Sequence, residues 1–359
     1  TPHINAPAAG PQTRRRGFFC VVARLLPTRT PAETAEAVAE AARLLTSGEV
    51  VALPTETVYG LAANAWDAAA VRRIYAAKGR PSTNPLIVHV ADEAMLTECV
   101  AAWPPGAVAL ARAFWPGPLT LVLPANTTRV PEEVRAGGPT VAVRWPAHKL
   151  MQAVIRECGF PLAAPSANPS NFISPTTAAH VQAGLGERIP LIVDGGPSAV
   201  GIESAVVDCT GPAPVVLRPG SISETDIRRV WSSNEHPETS NQQPEALRSP
   251  GMLAKHYSPR APMALLTWRD EADLRRQVAA HGQAAARTYV IAYEQVPDPA
   301  DSGFGWVEEL PADPRGYAQV LYAALHRADE VGAAFIVVET PPAPLAWAGV
   351  RDRLGRAAS

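Results

Sequence analysis

The sequence predicts an α/β protein of two domains, a large one built on many strands and a second, smaller one of the same class. Three observations lead there. Short runs of Val, Ile, Leu and Ala alternate with helix-length segments between residues 31 and 231. From Ser232 to Arg260 the composition turns to Asn, Gln, Glu, Ser, Pro and His with few aliphatics, which cannot pack a core and reads as a linker. The alternation then resumes over residues 261–359. With 359 residues, 47% of them hydrophobic, the chain has material for two cores, and no fixed-period repeat marks a solenoid.

Residues 1–30, with Arg14-Arg15-Arg16 among Pro, Ala and Thr, are expected to form a flexible tail. Thr30-Pro31-Ala32-Glu33 supplies a cap, a proline for the first helical position and a glutamate three residues after the cap, so a helix should run to Gly48. A strand follows over 50–53, then a helix capped by Asp67 and ending near Gly79, a strand over 86–90 and a helix from Asp92. Further strands are expected at 119–123, 141–144, 162–164, 191–194, 205–208 and 215–218. In the second domain strands at 263–266, 289–292 and 335–338 alternate with helices near 271–281 and 316–331.

A formal net charge of −2 excludes a protein whose whole surface binds polyanions, leaving room only for a local contact with a nucleic acid. Cys20, Cys99, Cys158 and Cys209 are far apart and form no Cys-x-x-Cys, which suggests neither a disulfide framework nor a zinc site. No apolar run approaches the roughly 20 residues of a membrane span, and the opening residues lack the apolar core of a secretory signal. A soluble, cytoplasmic protein without a membrane partner is expected. The phosphate-cradling loops Gly-x-x-x-x-Gly-Lys-Ser/Thr and Gly-x-Gly-x-x-Gly do not occur, nor do paired histidines at metal-ligand spacing. A Ser/His/Asp triad can be assembled only by arbitrary choice.

What the first domain does carry is a set of charged and hydroxyl residues near strand ends, where open α/β sheets gather ligands. Thr57 lies in the segment after the first predicted strand; Lys78 and Arg80 follow a helix, and Asn84 and His89 frame the next strand. Thr140, Arg144, Ala164, Ser166, Asn168, Ser174, Ser204 and Arg218 come after. If Lys78, Arg80, Arg144 and Arg218 converge, something anionic must sit between them, and a triphosphate plus a carboxylate would serve. Each residue also has an ordinary reading. Lys78 and Arg80 suit a helix C-terminus, where the macrodipole favours a cation. His89 sits in an apolar run and by itself reads as a hydrogen-bonded core histidine sooner than as a ligand; Arg144 and Arg218 read as solvated strand ends, and Ser166 and Asn168 as residues that satisfy turn backbone.

Nine segments in order, PTETVYGL, KGRPSTNPLIVHV, FWPGPLTLVLP, VAVRWP, LAAPSANPS, ISPT, DGG, GIES and VLRPG, resemble the threonylcarbamoyl-adenylate synthase family, whose catalytic part is the YrdC-like domain. The linker segment SPGMLAKHYSP and the trailing domain are similar to the long, two-domain form of that family. The resemblance implies a twisted open mixed sheet around a cationic cavity for residues 31–231, a linker over 232–260 acting as a lid, and a smaller Rossmann-like α/β domain over 261–359. It implies synthesis of threonylcarbamoyl-AMP and pyrophosphate from L-threonine, bicarbonate or carbon dioxide, and ATP. A downstream threonylcarbamoyl transferase would use the product to modify the adenosine next to the anticodon of tRNA.

Carried over residue by residue, the resemblance gives Thr57, His89, Arg144, Ala164 and Ser204 to L-threonine, and Lys78, Arg80, Asn84, Thr140, Ser166, Asn168, Ser174, Arg218 and Tyr257 to ATP. Lys78 and Arg80 are the implied catalytic pair, acting by electrostatics, since threonine supplies its own nucleophile. Mg is expected to arrive with ATP, with no protein ligand and no tightly bound organic cofactor. Two positions depart from the family pattern: Ala205 where Thr is common, and Asn171 where Gly is frequent. Two other readings use the same residues. One is a carbamoyl-adenylate-forming module fed by carbamoyl phosphate, which usually adjoins a large metal-binding domain that this chain lacks room for; the other is a non-catalytic RNA-binding module.

Overall fold

The structure, a computed structural model, describes residues 22–233 and 257–358. Most of the stretch expected to be a linker and lid therefore lies outside the described residues, as does Cys20. The first domain is built on strands β1 (Arg24–Pro27), β2 (Val51–Leu53), β3 (Gly60–Asn64), β4 (Ile87–His89), β5 (Leu119–Pro124), β6 (Thr140–Arg144), β7 (Leu162–Ala163), β8 (Leu191–Asp194), β9 (Ala205–Asp208) and β10 (Val215–Arg218). They form one mixed sheet in the order β1-β8-β2-β3-β7-β4-β6-β5-β9-β10.

The sheet is buried because its inner strands are apolar along their length: every residue of β2 and β4 and most of β5 and β6 are buried. The local signals that start and stop the flanking helices act as expected. Thr30 and Glu33 make a reciprocal capping box at Pro31–Thr46, Asp67 accepts from the amides of Ala69 and Ala70 at Ala68–Lys78, and Gly79 ends that helix at φ 62°. Asn171 takes the left-handed backbone its position asks for, with φ 72°.

One correction concerns the N-terminus. Residues 24–27 belong to the sheet, with β1 paired in parallel to β8, so the segment expected to be tail ends before them. β1 is an edge strand whose residues are exposed or half-buried and which finishes in Pro27, so it carries little of the apolar pattern of an inner strand.

The second domain holds β11 (Met263–Leu266), β12 (Thr288–Ala292), β13 (Trp306–Glu309) and β14 (Phe335–Glu339), all parallel in the order β11-β14-β12-β13. The edge strand β13 escapes sequence reading because none of its residues is buried. The two domains share a core: Val58, Ile173 and Ile202 of the first pack with Tyr317, Leu321, Tyr322 and Leu354 of the second. No helix of the described residues is long and apolar enough to cross a membrane.

Candidate active site

Strand directions bring the candidate residues together. β4 and β6 are parallel neighbours in which His89 pairs with Arg144, so both side chains sit at the carboxyl ends of their strands. β5 runs antiparallel to β6, which brings its first residues to the same edge, and β9 lies parallel beside β5 with Leu119 opposite Ala205. Ser204 precedes β9 and Arg218 ends the antiparallel β10, so they meet there too. The turn between β2 and β3 adds Thr55 to Val58, and Gly60 bridges to Ser166.

These elements wall one common cavity. Nine of the residues singled out from sequence line it: Thr57, Arg80, His89, Arg144, Ala164, Ser166, Ser204, Arg218 and Tyr257. Arg80, Arg144 and Arg218 are 8%, 3% and 4% exposed, so the solvated strand-end reading of the last two does not hold.

On one side Arg144 donates from Nη1 to Thr57 Oγ1 at 2.8 Å and from Nε to the Gly117 carbonyl at 3.2 Å, while Nη2 lies 2.7 Å from Glu56 Oε1. Burial alone would raise the Glu56 carboxyl; the Arg144 charge and the Ala147 amide overcome it and hold the group below its ordinary value. On the other side Arg218 donates from Nε to the Ser204 carbonyl at 3.1 Å and from Nη2 to Ser204 Oγ at 3.2 Å. Ser204 Oγ also lies 2.8 Å from Thr120 Oγ1. Arg80 donates to the carbonyls of Asn84 and Pro85, and burial brings it down to about 10, so it stays charged at neutral pH.

Five residues fall outside the cavity wall. The Lys78 ammonium, 2% exposed, donates to the carbonyls of Ser166 and Asn168, both at 2.5 Å, and lies 3.4 Å from Asn168 Oδ1. It ties the loop after β7 to the end of the helix Ala68–Lys78, so only three of the four candidate cations converge. Asn168 is engaged in the same loop through Nδ2, which donates to the Phe172 carbonyl. Asn84 presents its carbonyl to Arg80, and Ser174 Oγ donates to Glu203 Oε1 at 2.5 Å. Thr140 sits at the far end of β6 from Arg144, about 13 Å away along the strand.

Two carboxylates escaped sequence reading although both lie in quoted motifs. Glu56 pairs with Arg144, and Glu203, a lining residue, is held by Ser174, Tyr322 and Arg353. Among the described residues no group of His, Cys, Asp and Glu side chains could hold a metal ion. At the second departure from the family pattern, the Ala205 backbone is closely packed: a Cβ on Gly220 would lie 2.3 Å from its nitrogen.

His89 is 2% exposed and lines the cavity; its Nδ1 makes no hydrogen bond of good geometry within the described residues, although the Ile87 and Leu162 backbone stands close enough to favour its charged form. Burial, with the Arg144 charge beside it, drives the imidazole down from 6.5 to about 3, so it is neutral at physiological pH. Below pH 6.5 the unfolded chain takes up a proton that the folded one refuses. The stability contributed by His89 is thus complete above pH 6.5 and is lost by ~1.4 kcal/mol per unit as pH falls toward 3. His89→Gln should therefore lose less thermal stability than the wild type between pH 7.5 and pH 5.5 (roughly the upper part of that window). An equal loss in both would contradict the assignment.

A family model described as telomere recombination, that of Sua5, YciO and YrdC, matches residues 43–220, and one described as the C-terminal domain of threonylcarbamoyl-AMP synthase matches 222–359. The chain is 42% identical over 321 residues to the threonylcarbamoyl-AMP synthase of Bacillus subtilis (strain 168), covering 89% of this chain and 92% of the relative. It is 35% identical to the one from Schizosaccharomyces pombe, covering 92% and 90%. A crystal structure of P. abyssi Sua5 complexed with L-threonine aligns with a TM-score of 0.81 and 35% identity over 93% of this chain and 97% of that one.

Proposed function

The chain belongs to the threonylcarbamoyl-AMP synthase family, and on that footing we propose that it converts L-threonine, bicarbonate or carbon dioxide, and ATP into threonylcarbamoyl-AMP and pyrophosphate. The observation that carries the reading is the convergence of three buried guanidinium groups, Arg80, Arg144 and Arg218, on one cavity whose lining carboxylate, Glu203, is already held by Arg353. Arg144 is paired with Glu56 and Glu203 with Arg353, so the cavity wall carries more positive than negative charge; that excess calls for an anion, and a triphosphate together with an amino-acid carboxylate supplies it.

The threonine side is Thr57, His89, Arg144, Ala164 and Ser204; a 35% identical relative solved in complex with L-threonine supports threonine as the ligand. Arg144 would face the carboxylate, and a neutral His89 offers a ring nitrogen without adding charge. The ATP side is Arg80, Ser166, Arg218 and Tyr257, with Lys78, Asn84, Asn168 and Ser174 acting from behind by fixing the loop, Arg80 and Glu203. Thr140 stays on the ATP side only as the residue at the outer end of β6.

The chemistry asks little of the protein beyond placement. The threonine nitrogen adds to carbon dioxide and loses a proton, giving a carbamate; a carbamate oxygen attacks the α-phosphorus, and the bond to pyrophosphate breaks. No covalent enzyme intermediate is needed, so the work is to align the reactants and offset charge on the phosphoryl oxygens. Mg fits as an ion carried by the triphosphate, since the site carboxylates Glu56 and Glu203 are engaged by arginines; when bound it would shield phosphate charge. The product would pass to a downstream threonylcarbamoyl transferase acting on tRNA, and any contact of this chain with tRNA would be local.

Pyrophosphate release from ATP should require both threonine and bicarbonate and should not respond to carbamoyl phosphate. Release that ignores threonine, or that carbamoyl phosphate drives, would assign the site to carbamoyl-adenylate formation. Binding of RNA with no pyrophosphate release at all would make the cavity a recognition module.

A further inference from the structure

The second domain reaches the cavity wall itself. Its helices Pro314–Glu330 and Ala348–Ala357 lie directly on the segment that carries Ser204 and Arg218. Two glycines permit that approach: a Cβ on Gly201 would lie 2.3 Å from the Ala318 carbonyl oxygen, and one on Gly349 would lie 2.8 Å from the Gly220 carbonyl oxygen.

Into this contact the second domain sends one long cation. Arg353 is 1% exposed. Its Nε donates to Glu203 Oε2 at 2.7 Å, Nη2 to the Glu203 carbonyl at 3.2 Å, and Nη1 to the Pro219 carbonyl at 3.1 Å and to Asp352 Oδ2. Glu203 precedes Ser204 and Pro219 follows Arg218, so one guanidinium clamps the two backbone segments whose side chains form the Arg218–Ser204 wall. The same guanidinium lies 5.3 Å from the ring centre of Tyr257, which lines the cavity with its backbone at φ 64°. Tyr322 completes the arrangement, donating to Glu203 Oε2 at 3.0 Å and standing 5.9 Å from Tyr257, ring centre to ring centre.

A buried ion pair across a domain contact is poor evidence of stabilisation, because desolvation offsets much of the attraction. What an arginine adds over an apolar residue is a rigid fork with several donors at fixed angles. Here those donors end on two cavity-wall segments at once, at Glu203 and at Pro219, while the guanidinium faces the ring of Tyr257. We propose that Arg353 is a positioning residue for the adenylation site, through which the second domain holds Arg218 and Tyr257 at the nucleotide side of the cavity. The proposal rests on the synthase reading above. It makes the second domain part of the active site, separate from any task of its own parallel sheet.

Of the threonine side only Ser204 adjoins the clamp; Arg144 and Thr57 are anchored elsewhere, by the contacts of Arg144 with Thr57, Glu56 and Gly117, none of which touches Arg353. The effect should therefore divide between the substrates. In the full chain Arg353→Met should raise the KM for ATP at least tenfold, with kcat falling further, while the KM for threonine stays within about threefold; misplacement near 1 Å is enough for effects of order 10²-fold. Arg353→Lys should recover only part of this, because one ammonium cannot reach Glu203 and Pro219 in the same geometry. The double variant Glu203→Gln with Arg353→Met removes both buried charges, and should regain thermal stability without regaining the KM for ATP. That arm also covers the case in which Arg353→Met alone does not fold.

If the double variant recovered ATP kinetics together with stability, Arg353 would be no more than a counter-charge for Glu203. A folded Arg353→Met with unchanged KM for ATP, or one that lost threonine and ATP equally, would overturn the proposal as well. Wild-type protein that releases no threonine-dependent pyrophosphate would instead reject the synthase reading, a result distinct from these.

Discussion

Arg144→Ala should all but abolish threonine-dependent turnover, raising the KM for threonine by roughly 100-fold or more, as expected when one partner of a buried charged contact is removed. The residue holds three protein groups at once: Thr57 Oγ1, the Gly117 carbonyl and the Glu56 carboxylate. Its loss leaves Glu56 buried without a counter-charge, which costs about 3–5 kcal/mol of stability.

The pH dependence separates that cost from binding. In the wild type Glu56 is held below its ordinary 4.5, so its stabilising contribution is present above pH 4.5 and is lost as pH falls through the lowered value. Without Arg144, burial dominates and the carboxyl rises, so at neutral pH the variant must protonate or expose the group. The stability gap between the two proteins should therefore narrow on acidification, while the defect in threonine KM persists. A folded Arg144→Ala enzyme with an unchanged KM for threonine would remove Arg144 from the threonine side.

Arg80→Ala is expected to lower kcat/KM for ATP by about 10²–10³-fold, the size seen when one preorganised charge donor is taken from a phosphoryl-type transition state. Threonine binding should survive, since Arg80 makes its hydrogen bonds to the Asn84 and Pro85 carbonyls and not to Thr57, His89 or Arg144. Lys78 provides the contrast. Its ammonium is spent on the carbonyls of Ser166 and Asn168, so Lys78→Met leaves buried acceptors unpaired, at about 1–3 kcal/mol each. Burial, with Arg80 adding to it, holds that ammonium well below its ordinary value, in keeping with a group enclosed by protein. Lys78→Met should thus lose stability first, and lose activity in proportion to disorder of the loop over 164–168. If it kept its thermal midpoint while losing ATP turnover as severely as Arg80→Ala, Lys78 would have to touch the nucleotide directly.

Lys78 also marks where sequence reading reaches its limit. Nothing in Lys78-Gly79-Arg80 says that one cation turns into the cavity and the other away from it. That is decided by carbonyls 88 and 90 residues further along the chain, brought over when the loop after β7 folds back on Gly60. The fold itself was legible where it follows local chemistry: the Thr30 capping box, the Asp67 cap, Gly79 as a helix stop, and the apolar strands that place His89 and Arg144 side by side. Edge strands β1 and β13 were not, because strands that bury little carry no apolar period.

The carboxylates were missed for a related reason. Glu56 and Glu203 stand in recognisable motifs, yet a glutamate looks like surface until its partner is known, and the partners lie far off: Arg144 at the end of the fourth strand further on, Arg353 in another domain 150 residues away. Local pattern finds helices, strands and motifs. It does not find pairs closed by the tertiary fold.

The central claim, one cavity that joins threonine to the α-phosphate of ATP through a carbamate, is tested most directly by following the carbon. The protein is incubated with ATP, Mg, threonine and ¹³C-labelled bicarbonate, and the nucleotide products are examined by mass spectrometry. The expected result is an adenylate whose mass includes threonine and one labelled carbon, formed with one pyrophosphate per molecule and absent when Arg80 or Arg144 is replaced by alanine. An adenylate lacking threonine or the label, or pyrophosphate released with no such product, would contradict it.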